Sequence, residues 1–234
     1  MSTHASAGPL GDLQAPFARP PGATEILLVR HGSTAGGRAR PESPNRADRH
    51  TDPALSASGT AQAKAVSRRL ALLPVDRLFV TTPRRTRQTA EPIASALGLE
   101  PEAVNDLREV ALGDMEGDEF ERRRLAYDPV LARAYTAQRW DVIPGAEPME
   151  VFAERVRRGL EYVADSTGPN AAAVAVVHGG VIAELCRQIT GSDRFAFINV
   201  ENASITTLLR TAADKWHLRS FNDIAHLPGA TIGR

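Results

Sequence analysis

Short runs of consecutive apolar residues alternate along this chain with longer stretches in which apolar residues recur every three or four positions. The runs are typical of buried strands, and the periodic stretches are typical of amphipathic helices. Strands are predicted at residues 26–29, 78–80, 173–177, 205–209 and 216–221. Because strands and helices alternate in this order, the pattern indicates an α/β fold.

Capping residues place the ends of several helices. Ser56 is a suitable N-cap for a helix whose apolar residues recur at helical spacing up to residue 73. Thr82 as N-cap and Pro83 at the first helical position predict the start of a second helix, which Gly98 would end. A later periodic stretch, residues 149–163, predicts a third.

Composition divides the chain into a tail and one domain. Residues 1–23 are rich in Ala, Gly, Ser and Pro and are interpreted as a flexible N-terminal tail. Residues 24–234 are expected to form a single domain. Within it, residues of about 118–165 are mostly helical in pattern and highly charged, which indicates a helical insertion.

Charge and cysteine content exclude several kinds of protein. The 28 basic and 28 acidic residues balance, so no overall field favours binding to nucleic acid or to an anionic membrane. The single cysteine, Cys186, lies on the apolar face of a predicted helix and is interpreted as buried filler. No apolar stretch approaches the roughly 18 residues of a membrane span, and the N-terminus lacks the pattern of a signal peptide. These features predict a cytoplasmic protein with no cofactor and no metal site.

Two of the predicted strands end in the same way. Arg30, His31 and Gly32 follow the run at 26–29, and His178 and Gly179 follow the run at 173–177. In open α/β sheets, ligands bind where parallel strands end, and distant residues meet there. Each histidine alone is as well explained by a structural role, but the repeated context predicts a shared site.

A third set of polar residues follows the strand at 78–80. Arg84, Arg85 and Arg87 fall in the first turns of the helix predicted after Pro83, where the helix dipole disfavours cations. Their presence indicates that an anion binds nearby, although for Arg84 and Arg87 contact with solvent or acidic neighbours is the favoured interpretation.

These segments resemble, in order, the motifs of the histidine phosphatase superfamily, the phosphoglycerate-mutase-like enzymes. The resemblance covers about residues 24–228. It implies a mostly parallel central sheet flanked by helices on both faces, with the helical insertion lying over the site. The matching segments are Arg-His-Gly at 30–32, Thr-Thr-Pro-Arg-Arg-Thr-Arg-Gln-Thr-Ala at 81–90, Leu-Arg-Glu at 107–109, Gly-Asp-Met-Glu-Gly at 113–117 and His-Gly at 178–179.

The sequence departs from the family pattern beside the first motif. Ser33 replaces the usual Glu, and Gly37 stands where the family has an Asn whose side chain helps hold the phosphate. A backbone N–H at Gly37 is the expected substitute. These departures affect the fit of the substrate more than the reacting centre.

The resemblance implies a role for each matched residue. His31 would attack phosphorus and carry the phosphoryl group, and Glu109 would protonate the leaving alkoxide and later take a proton from water. Arg30, Arg85 and His178 would bind the phosphoryl oxygens, with Gly179 beside them, so no metal ion is needed.

The expected function is therefore hydrolysis of small phosphate monoesters, with inorganic phosphate as product. A phosphoglycerate-type mutase is the main alternative, although the segment between Arg85 and Glu109 is short for one. An inactive phosphate-binding module stays open because the Asn at position 37 is lost. An esterase is disfavoured because no Gly-x-Ser-x-Gly follows His178. The substrate and the state of assembly, including a homo-oligomer, stay open.

Overall fold

A six-stranded mixed sheet forms the centre of the fold in a computed structural model that describes residues 17–36 and 52–229. The strand order is β3-β2-β4-β1-β5-β6. Strands β3, β2, β4 and β1 pair in parallel, whereas β5 is antiparallel to both β1 and β6. The strands are β1 (Thr24–Arg30), β2 (Arg77–Val80), β3 (Pro101–Ala103), β4 (Ala172–Val177), β5 (Ile205–Arg210) and β6 (Trp216–Asp223).

Helices cover both faces of the sheet, as expected, and the α/β fold class is confirmed, although the sheet is mixed rather than mostly parallel because β5 is antiparallel to both of its neighbours. The helices are α1 (Ala57–Leu70), α2 (Arg84–Leu97), α3 (Asp118–Leu125), α4 (Pro129–Ala137), α5 (Met149–Thr167) and α6 (Gly179–Thr190). Alternate residues of β1 enter different cores, because successive side chains of a strand point to opposite faces. Leu27 and Val29 pack in the core with α1 and α2, while Ile26 and Leu28 pack in the core with α5 and α6.

Two helix starts near the site differ in how they are capped. Ser56 caps α1 as predicted, because its hydroxyl accepts a hydrogen bond from the backbone N–H of Gly59. The prediction that Thr82 caps the second helix is wrong: Pro83 occupies the N-cap position of α2. The Asp52 carboxylate instead accepts from the backbone N–H of Arg84. Gly98 ends α2 in the left-handed conformation, as predicted.

The region called the cover segment here comprises residues 113–147. It contains two 3-10 turns, Gly113–Met115 and Trp140–Val142, together with α3 and α4. Its own small core consists of Met115, Leu131 and Ile143. The predicted insertion at about 118–165 includes most of α5, which packs against the sheet and contributes Phe152, Val156, Leu160 and Val163 to a main core.

Residues 1–16 of the predicted tail lie outside the described residues, and so does Gly37. Residues 17–23 contact the domain: Arg19 donates to the carbonyl of Asn170 at 2.6 Å, and Gly22 N–H donates to its side chain at 2.6 Å. None of the helices in the described residues has the length and apolar character that crossing a membrane requires.

Candidate active site

The ends of β1 and β4 bring the two predicted histidines together. The strands are parallel neighbours with Arg30 opposite Val177, so His31 and His178 leave the sheet side by side. The backbone N–H of His31 donates to the Val177 carbonyl at 3.0 Å. The two imidazole rings lie 5.3 Å apart between centroids, with 67° between their planes.

Hydrogen bonding leaves the lone pair of one ring nitrogen of His31 available. Its Nδ1 lies 2.9 Å from the carbonyl oxygen of Gly32, which can only accept, so Nδ1 carries the proton and Nε2 does not. Burial, assisted by the nearby charges of Arg85 and Arg30, lowers the pKa of His31 to about 3. The ring is therefore neutral at neutral pH, as a nucleophilic imidazole must be.

The backbone after His31 is held by close packing. The N–H of Gly32 donates to the Thr89 hydroxyl at 3.0 Å, and Ser33 N–H donates to the Gln62 side chain at 2.8 Å. A Cβ on residue 32 would lie 2.6 Å from the carbonyl oxygen of Gly59, so only glycine fits. The first turn of α1 thus fixes the direction in which the chain leaves His31.

Two arginines flank the histidines. Burial lowers the pKa of Arg30 and of Arg85, while the negative charge of Glu109 opposes that shift in both. Arg30 donates to the Val200 carbonyl. Arg85 is 8% exposed, in contrast with Arg84 and Arg87 on the same helix, which are exposed. Of the three arginines at the start of α2, the structure brings Arg85 to the histidines.

His178 is fully buried and bonded at both ring nitrogens. Its Nδ1 lies 3.3 Å from Nη2 of Arg85, and its Nε2 lies 2.8 Å from the Thr81 hydroxyl. Because guanidinium only donates, Nδ1 accepts and Nε2 carries the proton in this arrangement. The Thr81 hydroxyl donates a hydrogen bond to the Thr86 hydroxyl at 3.0 Å, so the Thr81 oxygen can accept from Nε2 of His178.

Glu109 lies on a loop near the arginines, and backbone N–H groups hold its carboxylate. Its carboxylate accepts from Val110 N–H at 3.0 Å and from Gly180 N–H at 3.1 Å. A Cβ on residue 180 would lie 2.4 Å from a Glu109 oxygen, so the Glu109 carboxylate can lie against the start of α6 only because residue 180 is glycine. Gly179, also predicted as a site residue, lies next to the Arg30 guanidinium.

Arg155 is a buried residue that sequence reasoning missed. From α5 it forms a paired hydrogen bond with Glu147, at 2.7 Å for each contact. Its remaining donors reach the backbone carbonyls of Asp106, Arg108 and Glu109 at 2.7–2.9 Å. Arg155 therefore holds the loop that carries Glu109. The available signal was a charged residue on the apolar face of a predicted helix, next to Phe152 and Val156.

A cavity of about 340 Å³ opens beside these residues. Arg30, Glu109, Gly179 and Gly180, which lie against one another, line the part of the cavity that we call its inner end. Its outer walls are aromatic: Phe120, Tyr135, Trp140 and Phe195. We call this cavity the leaving-group pocket. The described residues hold no group of three or more His, Cys, Asp or Glu side chains arranged for a metal ion.

The pattern of residues 26–224 matches the model of the histidine phosphatase superfamily, branch 1. The chain belongs to this superfamily. The match includes the segments that carry both histidines, both arginines and Glu109. Catalysis through phosphohistidine is general to the superfamily, and the chain is a histidine-type phosphatase.

Individual relatives agree with this membership. An uncharacterized phosphatase of Bacillus subtilis, PhoE, is 29% identical over 208 residues, which are 88% of this chain and 98% of the relative. A solved mycobacterial glucosyl-3-phosphoglycerate phosphatase, in complex with inorganic phosphate, superposes with a TM-score of 0.69 and 25% identity, covering 90% of this chain and all of that one. A phosphoglycerate mutase from Bacillus anthracis shares the fold, with a TM-score of 0.71, 19% identity and coverage of 88% and 96%.

Proposed function

We propose that this protein hydrolyses phosphate monoesters in two steps, with His31 as the residue that carries the phosphoryl group. One observation carries the assignment: the Gly32 carbonyl binds Nδ1–H of a buried, neutral His31, which leaves Nε2 as the nucleophile. The two flanking guanidiniums make that nitrogen the point at which an anionic phosphoryl group would bind.

In the first step, Nε2 of His31 attacks phosphorus and the bond from phosphorus to the ester oxygen breaks. Protonated Glu109 gives its proton to the leaving oxygen, which departs as a neutral alcohol. In the second step, water attacks phosphorus and the P–N bond breaks. Glu109 takes a proton from that water, so the enzyme returns to its starting state with inorganic phosphate as product.

Arg30, Arg85 and His178 supply the electrostatic stabilisation in both steps. The two guanidiniums neutralise the phosphoryl oxygens, which would otherwise repel the nucleophile. A proton on Nδ1 of His178 would turn that nitrogen into a donor, while Thr81 continues to accept from Nε2. This arrangement provides positive charge from side chains alone, and we propose that no metal ion takes part.

Hydrolysis is favoured over transfer between two substrate positions. The segment from Arg85 to Glu109 contains only the rest of α2, the short strand β3 and one 3-10 turn. It offers no added element that would retain and reorient a bisphosphorylated intermediate. The mycobacterial relative that binds inorganic phosphate, the product of hydrolysis, supports the same reaction.

A phosphate-release assay tests the proposal. The purified protein is first dialysed exhaustively against EDTA and then given p-nitrophenyl phosphate and a series of alkyl phosphates. We expect turnover with every accepted ester, unchanged by the chelator, and competitive inhibition by inorganic phosphate. Activity that disappears with EDTA and returns with Mg²⁺ or Zn²⁺ would refute the side-chain mechanism.

A further inference from the structure

The leaving-group pocket combines a polar inner end with a wall of aromatic rings. Phe120 comes from α3, Tyr135 from α4, Trp140 from the 3-10 turn of the cover segment and Phe195 from the loop after α6. The four rings contact one another. Trp140 lies 4.7 Å from Phe195, 5.6 Å from Tyr135 and 5.9 Å from Phe120 between ring centroids.

None of these four rings is fully buried, so each keeps surface available beside the pocket. Further apolar side chains, including Val110, Leu112, Met149, Phe152 and Ile198, extend the same lining. A concave apolar surface with a few polar groups at one end is typical of a small-molecule site. The polar end here already has a function in the proposed reaction, so the apolar walls are left to select the leaving group.

Charged groups of both signs also line the pocket. Beyond Arg30, the one arginine in the described lining is Arg194, and its Nη2 binds Glu150 at 3.1 Å. The other terminal nitrogen of Arg194 is buried and has no hydrogen-bond partner among the described residues. Glu184, which pairs with Arg187, adds a carboxylate to the same lining. Charge alone therefore does not set the choice of leaving group.

We propose that the preferred substrates are phosphate monoesters of alcohols that carry an aromatic ring. The ring would pack against Trp140 and Phe195, where planar groups gain both buried area and favourable ring contacts. The inference rests on the proposed hydrolysis at His31, since that reaction places the ester oxygen at the inner end of the pocket.

Three primary alkyl phosphates test this selectivity without a large change in the chemistry of the leaving oxygen: 3-phenylpropyl phosphate, n-propyl phosphate and 3-phosphoglycerate. We expect kcat/KM for the phenylpropyl ester to exceed that for the propyl ester by about 10- to 100-fold, as burial of one phenyl group implies. 3-Phosphoglycerate, which has no ring, should also fall below the phenylpropyl ester. A phenylpropyl-to-propyl ratio near one, or a preference for 3-phosphoglycerate, would overturn the proposal.

Substitution in the aromatic wall locates the selectivity. Trp140→Leu should lower the phenylpropyl-to-propyl ratio of kcat/KM about tenfold or more. Phe195→Leu provides the same test from another element, should Trp140→Leu fail to fold. Tyr127→Ala is the matched control, because this residue links α3 to α4 but is 92% exposed. A ratio unchanged in both wall variants would refute the assignment of this pocket.

The same experiment separates the two proposals. Release of phosphate from all three esters with no preference for the phenyl group would refute the aromatic selectivity and leave hydrolysis intact. Failure to release phosphate from any ester, together with no covalent phosphate on His31, would overturn both.

Discussion

The phosphate site, formed by Arg30, His31, Arg85, Glu109 and His178, and the cover segment are built in different ways. Both histidines of the phosphate site follow strands. Arg85 contacts His178, and the Glu109 carboxylate accepts a hydrogen bond from the first turn of α6. In the cover segment, α3 has no buried residue and carries an exposed ion pair between Glu121 and Arg124.

This difference separates reaction from selectivity. Groups that must meet one phosphoryl with atomic precision are placed by the sheet and by backbone hydrogen bonds, which change little when side chains change. The cover segment has only a small core of its own and contributes three of the four rings of the leaving-group pocket. We therefore expect substitutions in the phosphate site to affect all esters, and substitutions in the cover segment to affect the choice among them.

Glu109→Gln should produce the largest loss on alkyl esters. The substitution keeps the shape of the side chain but removes the transferable proton, so kcat should fall by about 10²- to 10⁴-fold. The loss should be much smaller with p-nitrophenyl phosphate, whose leaving group departs without protonation. Equal losses on the two kinds of ester would show that Glu109 is not the general acid, and Glu116 would then be tested first.

Arg85→Ala should lower kcat/KM for every ester by about 10²- to 10³-fold, because a buried cation that meets the phosphoryl oxygens is lost. Inorganic phosphate should also inhibit more weakly. Arg87→Ala, an exposed arginine on the same helix, is the control and should leave both quantities unchanged. Similar behaviour of the two variants would contradict the assignment of Arg85.

Arg155→Met should have a smaller effect, through the position of Glu109. We expect kcat to fall by about 10- to 100-fold on alkyl phosphates and by less on p-nitrophenyl phosphate, as loss of hydrogen bonds to a charged group implies. Stability should also fall, since Glu147 is left without its buried partner. Exposed Arg157→Met serves as the control. A loss equal on both kinds of ester would indicate a purely structural role.

Glu119→Gln in the cover segment should change least. Its side chain keeps contact with solvent at 25% exposure, although hydrogen bonds from Arg122 and Arg123 lower its pKa to about 2. Solvent screens such pairs, so kcat/KM for propyl phosphate should stay within about twofold of the wild-type value. A loss comparable to that of Arg85→Ala would show that the cover segment helps place the reacting groups, which would break the contrast drawn above.

The residue pattern alone predicted where the two histidines and the arginines of α2 lie, because they follow buried strands or begin a helix. The choice of Arg85 and Glu109 came from the family resemblance. The structure accordingly brings Arg30, His31, Arg85, Glu109 and His178 together. Strand direction was harder to predict: β5 pairs antiparallel with β1, and that pairing depends on contacts between residues about 180 positions apart. Strand β3 has three residues, too few to show a period.

The contacts that position the site were less accessible to sequence reasoning than the site residues themselves. Arg155 acts through backbone carbonyls of a loop distant in sequence, which no local pattern reports. The aromatic wall likewise draws on four separate elements, and its residues become one surface only after folding. Gly37 lies outside the described residues, so the suggested backbone N–H at that position stays a prediction.

Covalent labelling tests the central claim most directly. The enzyme is mixed with a [³²P]-labelled ester, denatured in alkaline detergent within one turnover, and the labelled peptide is mapped. We predict a base-stable, acid-labile phosphate on His31, which is absent from His31→Ala and present in Arg87→Ala. Label on His178, or label undiminished in His31→Ala, would contradict the account.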